Sequence, residues 1–492
     1  MQNINNQPPA LKIFFATEMW ERYGFYVVQS LLALYMALHF KWHDKHVYAL
    51  VGSFTAMTYL SPIVGGWIAD QLLGQKRTIL AGAFFLFVSY IMLAFITSTL
   101  GLITALAGIA VGTGLLKPNI SSLLGNAYET DCPKKERGFT IFYMGITSGI
   151  ILGTTLPSYL STNYGWSAAF LSASFGMIIA AFVFTLGAKC YKIADYQAYQ
   201  YAPSKIIKAA LLIAVLWSMS FFILFYPHFA DLAFGFVVLI SLGYLILTYM
   251  HEPPKQANQT MVIGLLCIIS VVFWAFYFQM FLSLTLFISR VVNPTLLGIK
   301  FPPPYYVSIQ SVGMLLFGYF IAKNKQKLSL NQSGIKTGNK FLMAILFTLL
   351  AYAFILLVCH FSENTTNLLS PLLFIPTYLL LSVAELLLSP VGLAAITTLA
   401  SREKVSTMMG IFFVSLGIGA YLSGKLADLT AINPDLMTIT ELKSHYSQTF
   451  SHMFLILLVA TMLCVLLNKL IKHLLLRNEQ TTTTLLNSVP QQ

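Results

Sequence analysis

Residues 12–38 read KIFFATEMWERYGFYVVQSLLALYMAL. A helix crosses a bilayer with about 20 mostly apolar residues. This run supplies them and sets Glu18, Glu21 and Arg22 among them. The three sit at i, i+3 and i+4, on one helix face. Arg22 is about ten residues in, roughly 15 Å of helix at 1.5 Å per residue. A permanently charged guanidinium at that depth needs partners. Glu18 reaches it along the helix, which leaves Glu21 free to exchange a proton. The functional reading is a proton or ion site beside an anion-binding Arg. The blander reading is a self-neutralising cluster that aids packing.

Outward from this run the pattern repeats. Apolar stretches of similar length lie near 47–72, 77–97, 99–125, 138–160, 166–187, 205–226, 229–249, 260–289, 304–322, 340–360, 369–399, 406–429 and 449–472. That makes about fourteen spans of an all-α polytopic membrane protein. Composition agrees: 57% of the 492 residues are hydrophobic and only 9% charged, against about 25% charged in a soluble domain. Mean hydropathy is +0.75. Continuous apolar runs such as Ala209–Val215 and Phe454–Val459 exclude a β-barrel, whose strands alternate in polarity. The net charge of +12 is spread over short loops with no basic stripe, so a nucleic-acid partner is not expected. The polar first ten residues do not read as a cleavable signal. Cys132, Cys190, Cys267, Cys359 and Cys464 are scattered and read as apolar filler.

Lys and Arg fall in alternate loops. Lys76, Arg77, Lys134, Lys135, Arg137, Lys189, Lys192, Lys205, Lys208, Lys255, Lys323, Lys325, Lys327, Lys336, Lys340, Arg402 and Lys404 form one set. Lys41, Lys45, Arg290, Lys300 and Lys443 form the other. The richer set is expected on the cytoplasmic side of the plasma (inner) membrane, with both termini inside. The organisation reads as a six-span half over 1–195, a two-helix insertion over 196–258, a second six-span half over 259–475 and a polar cytoplasmic tail over 476–492, disordered from Glu479. The longest polar loop is expected from Lys323 to Lys340.

Two further spans carry charge. GTGLLKPNISSLLG holds Lys117 near mid-span with no acid within a turn, and Pro118 beside it breaks a backbone hydrogen bond. Such a break suits a cavity lining. The alternative is a lysine that snorkels to water. SVAELLLSPVGL holds Glu385 alone, halfway along its span, with Pro390 and Gly392 following as a candidate hinge. A lone intramembrane carboxyl is placed to exchange a proton; the plainer reading is a hydrogen-bonded neutral Glu with no role. Two cations and an acid pair in one half, with a lone acid in the other, suit a zwitterion if the halves face each other. Its carboxylate would meet Arg22 and Lys117, and its ammonium Glu385.

EMWER, KPNISSLLG and ELLLSPVGL resemble the signatures of the proton-dependent oligopeptide transporters, a branch of the major facilitator superfamily. GGWIADQLLGQKRTILAG at 65–82, FYMGITSG at 142–149 and FYFQMFLSLTLF at 276–287 extend the likeness to nearly the whole chain. The resemblance implies a major facilitator fold of two six-helix bundles plus a two-helix insertion. It implies import of di- and tripeptides with protons by alternating access, with no cofactor and the chain acting as a monomer. It assigns proton coupling to Glu18, Glu21 and Glu385. It assigns peptide binding to Arg22, Tyr26, Lys117 and Glu385, and to the positions now held by Thr147, Gln310 and Phe412. Gly66, Asp70, Lys76 and Arg77 match the loop signature of the superfamily.

The sequence also departs from that pattern. Gln71 follows Asp70 where Arg is common. Thr147, Thr285 and Gln310 stand where the family carries Asn, and Ser311 where Pro is common. Phe25, Phe54 and Phe412 replace ring-polar residues, and Phe278 replaces a Glu seen in some members. The charged shell is kept and the neutral polar shell altered, which keeps a second reading open: a symporter for another zwitterion, such as an amino acid or modified peptide. The chain is not expected to be an enzyme, since it holds no HExxH, GxSxG or paired intramembrane Asp. A channel is the other rival and predicts flux without saturation. HFKWHDKH at 39–46 interleaves His with Lys and is not expected to bind metal. Trp20, Trp42, Trp67 and Trp166 read as interfacial anchors, and Asn364 opens a glycosylation sequon.

Overall fold

The computed structural model describes residues 7–128, 133–195, 202–322, 330–363, 365–401, 403–433 and 437–487. Cys132, Lys323, Lys325, Lys327, Asn364, Arg402 and the last five residues of the tail lie outside them. The described chain is almost wholly helical. The helices are α1 (Leu11–Leu34), α2 (Asp44–Ile68), α3 (Gln75–Phe95), α4 (Thr99–Asn126), α5 (Pro133–Tyr164), α6 (Trp166–Cys190), α7 (Pro203–Phe225) and α8 (Pro227–His251). They continue as α9 (Pro254–Tyr277), α10 (Ser283–Val291), α11 (Pro304–Ala322), α12 (Leu330–Ser362), α13 (Ile375–Leu399), α14 (Val405–Ala427) and α15 (Ile439–Asn487). Among the described residues, 12 helices are long and apolar enough to cross a membrane, with α9 and α10 forming one of them. The remaining two of the fourteen stretches form α1, which carries the charges, and α11.

Two polar stretches prove helical. α12 begins at Leu330, ten residues before the expected end of the loop at Lys340. α15 runs on to Asn487, through the tail from Glu479 expected to be disordered. Neither polar stretch contains a proline, and in the tail the first comes only at Pro490. Polarity therefore ended the membrane span there, but nothing ended the helix. Among the described residues the one sheet is a two-stranded hairpin, β1 (Thr295–Leu296) with β2 (Ile299–Lys300), in which Thr295 pairs with Lys300. Its turn residues Leu297 and Gly298 have φ of 52° and 82°, as a two-residue hairpin turn of this hand requires.

Two compact units make up the chain. The first holds residues 1–42, 53–230 and 302–312; the second holds 43–52, 231–301 and 313–492. Of the stretch expected as an insertion, α7 falls in the first unit and nearly all of α8 in the second. In the first unit Ala209, Ile213 and Leu216 of α7 pack with Val111 and Leu115 of α4 and with Ile68 and Leu72.

Helices in lipid gain little from hydrophobic burial against one another, so close packing at small residues holds them together. In the first unit, a Cβ at Gly149 of α5 would lie 2.8 Å from Cβ of Arg22. The glycine-spaced GITSG run thus lets α5 lie directly on the charged turn of α1. In the second unit, a Cβ at Gly52 would lie 2.9 Å from Cα of Gly424. That approach seats the start of α2 on α14 and fixes where Asp44 stands.

Candidate functional site

In the first unit the charged turn of α1 is buried: Glu18 is 1% exposed, Glu21 0% and Arg22 3%. The pairing differs from the one read along the helix. Arg22 gives both N–H groups of one guanidinium edge to Glu21, Nε to Oε2 and Nη2 to Oε1, the latter at 2.5 Å. Glu18 is the looser partner, with Oε1 3.5 Å from Nε, and its Oε2 has no hydrogen-bond partner among the described residues. The reason is geometric. A planar guanidinium edge matches a carboxylate bidentately, and the adjacent Glu offers that match better than one a full turn away. Glu21, expected to be free, is therefore engaged. The guanidinium also lies 4.9 Å from the centroid of the Phe25 ring.

Lys117 sits on α4, one residue before the in-helix Pro118. Its Nζ lies 5.0 Å from the centroid of Tyr59 on α2, a cation–π contact. Its electrostatic neighbours are Arg22, Glu21 and Glu18. The first unit thus brings Glu18, Glu21, Arg22 and Lys117 into one field. Tyr26, half-buried a turn beyond Arg22, interacts with it electrostatically.

The neutral positions are held differently. Thr147 is buried on α5, and its hydroxyl donates to the carbonyl of Tyr143 on its own helix, 3.2 Å away. Gln310 is buried on α11, and Ser311 donates to its Oε1 at 3.4 Å. Ser308, three residues before Ser311, shares a 2.5 Å hydroxyl contact with Thr154 of α5. In the loop signature, Asp70 lies exposed in the π-turn that ends α2. Lys76 donates from its backbone to Asp195 and from Nζ to the Ile193 carbonyl, both at 2.9 Å. Gly66 faces Cβ of Pro118, and Arg77 opens α3.

In the second unit Glu385 is half-buried on α13. Its Oε2 accepts a hydrogen bond from the hydroxyl of Tyr277, 2.5 Å away. Tyr277 ends α9, just before the helix tightens at Phe278–Phe281 and restarts as α10. The break is sewn by polar contacts: Thr285 donates to Met280 O at 2.6 Å, and Gln279 donates to Ser423 O at 2.8 Å. Phe412 is buried, with its ring edge against Gly392 of α13. α13 runs unbroken through Pro390.

Tyr59 and Tyr277 are the contacts that sequence reading missed. Each is one aromatic residue among many in a greasy span, and only the fold puts it beside a charge. A second, part-buried ion pair was also missed. Arg290 grips Asp44 through both terminal nitrogens, at 2.7 and 2.8 Å, and also donates to Tyr446 at 2.8 Å.

The chain resembles known proteins along most of its length. The family model described as the POT family matches residues 76–442. The dipeptide and tripeptide permease A of Proteus mirabilis is 31% identical over 91% of this chain and 92% of its own length. That of Serratia proteamaculans is 30% identical over 94% and 91%. Among solved structures, a bacterial homologue of the human drug peptide transporters PepT1 and PepT2 superposes with a TM-score of 0.81. It is 25% identical, and the match covers 94% of this chain and 99% of that one. Tetrameric PepTSo2 superposes with a TM-score of 0.80 at 26% identity, over 94% and 98%. The fold is that of the major facilitator transporters, and the molecule is a multi-pass membrane transporter, not an enzyme. The chain belongs to the POT family.

Proposed function

We propose that this chain imports di- and tripeptides together with protons by alternating access. The observation that carries the reading is the charged turn of α1, buried and shared with Lys117. Burying two acids and two cations in a span is costly unless they do work there. Arg22 and Lys117 take the peptide carboxylate, and Tyr26 lies beside them. Glu385 takes the peptide ammonium, and Thr147, Gln310 and Phe412 contribute to the rest of the substrate site. Protonation of Glu385 competes with its hold on the ammonium, and Glu18 and Glu21 couple the inward proton. Gly66, Asp70, Lys76 and Arg77 form the loop that changes between conformations. The permease names of the relatives support the substrate class. The proton gradient drives transport without a cofactor, the chain works as a monomer, and both termini lie on the cytoplasmic side of the inner membrane, where the Lys-rich loops point.

One observation favours a second substrate. The Thr147 hydroxyl is spent on its own helix, so it offers no donor in place of an Asn amide. A charge-assisted hydrogen bond is worth about 1.5–3 kcal/mol. Its loss favours a narrower peptide set, a modified peptide or an amino acid.

Purified protein in liposomes with an inward proton gradient tests both readings. Uptake of labelled dialanine that di- and tripeptides compete away supports peptide import. Competition by single amino acids alone supports the second reading, and uptake that never saturates indicates a channel. Glu385→Gln is expected to abolish gradient-driven uptake while leaving counterflow partly intact. Driven uptake that survives the change removes Glu385 from proton coupling.

A further inference from the structure

Two buried hydroxyls beside Glu21 stand unexplained by the site described above. Tyr90 of α3 is fully buried, and its hydroxyl has no partner among the described residues. A Cβ added at Gly24 would meet the Tyr90 ring at 2.9 Å and its hydroxyl at 3.3 Å, so the phenol end lies against α1 less than one turn beyond Glu21. Its electrostatic neighbours are Glu21 and Arg22. Thr17, 1% exposed, also carries a hydroxyl without a partner among the described residues. It stands four residues before Glu21, on the same helix face. Buried hydroxyls nearly always find partners, and a buried Thr in a helix has its own backbone carbonyl within reach. Two left idle on either side of one carboxylate call for an explanation.

We propose that Thr17 and Tyr90 are positioning residues that form a second cradle for the Glu21 carboxyl, used when Arg22 turns to the substrate. The proposal rests on the reading of Arg22 as the carboxylate anchor and of Glu21 as a proton-coupling acid. In the structure both oxygens of Glu21 are held by Arg22, so the hydroxyls have nothing to do. When a peptide carboxylate claims Arg22, Glu21 loses both bonds in a buried setting. A carboxylate without donors there is strongly disfavoured. The two O–H groups donate to it and hold it. A proton arriving from water then turns Glu21 into a neutral acid, whose own O–H donates to a hydroxyl oxygen; no other bond changes. The other groups facing this stretch are Glu18 and Arg22 on the same helix, Tyr26 a turn beyond and Lys117 from α4. α5 meets it through Gly149 and α6 through Gly176.

The test is the pH dependence of initial dialanine uptake in proteoliposomes, for Tyr90→Phe, Thr17→Val and the double variant, with Glu21→Gln as comparator. Hydrogen bonds to a carboxylate stabilise its charged form. Tyr90→Phe is expected to move the pH of half-maximal driven uptake upward by about half to one unit. Thr17→Val should move it in the same direction, and the double variant further than either. A purely structural role predicts lower rates with the profile unmoved. If Glu21→Gln abolishes driven uptake but the hydroxyl variants keep the wild-type profile, the cradle is wrong and the role of Glu21 stands. If Glu21→Gln keeps driven uptake, both fall. Thr17→Val keeps the test decisive should Tyr90→Phe fail to fold, which thermal melting in detergent would reveal.

Discussion

Among the described residues two arginine–carboxylate forks stand out, one buried and one part-buried, and they are built in opposite ways. Arg22 and Glu21 are neighbours in sequence, and the pair leaves Glu18 Oε2, Thr17 and Tyr90 without partners among the described residues. Arg290 and Asp44 are 246 residues apart, and their surroundings are well supplied. Tyr446 accepts from the guanidinium at 2.8 Å, and the backbone N–H of Ile432 donates to Asp44 at 3.1 Å. A fully satisfied polar network rigidifies into one arrangement, whereas unpartnered groups beside a pair leave it other partners to take. The Arg290 fork reads as structure and the Arg22 fork as working chemistry.

That contrast can be broken most severely at Asp44. Asp44→Ala leaves the part-buried Arg290 guanidinium uncompensated; breaking a fully buried pair costs about 3–5 kcal/mol, and a part-buried one costs less. A clear fall in the unfolding midpoint in detergent is expected; a midpoint that stays put would mean that the pair is not a structural clamp. Arg22→Lys should do the reverse. It keeps the charge and loses the bidentate edge, so dialanine uptake should drop about tenfold or more while the melting point changes little. A large loss of stability with normal uptake would invert the comparison. The smallest effect belongs to Tyr59→Leu. It removes the ring facing Lys117, a contact worth about 0.5–2 kcal/mol, and should raise KM by a few-fold with little change in the maximal rate. An unchanged KM would leave Lys117 independent of its aromatic neighbour.

The fourteen spans were legible because bilayer thickness imposes one length on every crossing. Glu18, Glu21, Arg22, Lys117 and Glu385 were legible because charge inside such spans is rare. The pairing inside the charged turn was not. Spacing alone favours Glu18 as the partner of Arg22, and the choice of Glu21 came from the fit of guanidinium to carboxylate. The ends of α12 and α15 were misplaced because hydropathy marks where a span leaves the membrane, not where hydrogen bonding along the helix stops.

The sequence by itself determined the membrane class, the spans and the few charges that carry the chemistry, since each depends on local composition and depth. Only the tertiary structure decided that Tyr277 holds Glu385, that Tyr59 faces Lys117 and that Arg290 finds Asp44. Among 25 Tyr and 38 Phe, no local signal separates the ring beside a charge from those that only fill space. That distinction arises from contacts between helices, which bring together residues that the chain keeps far apart.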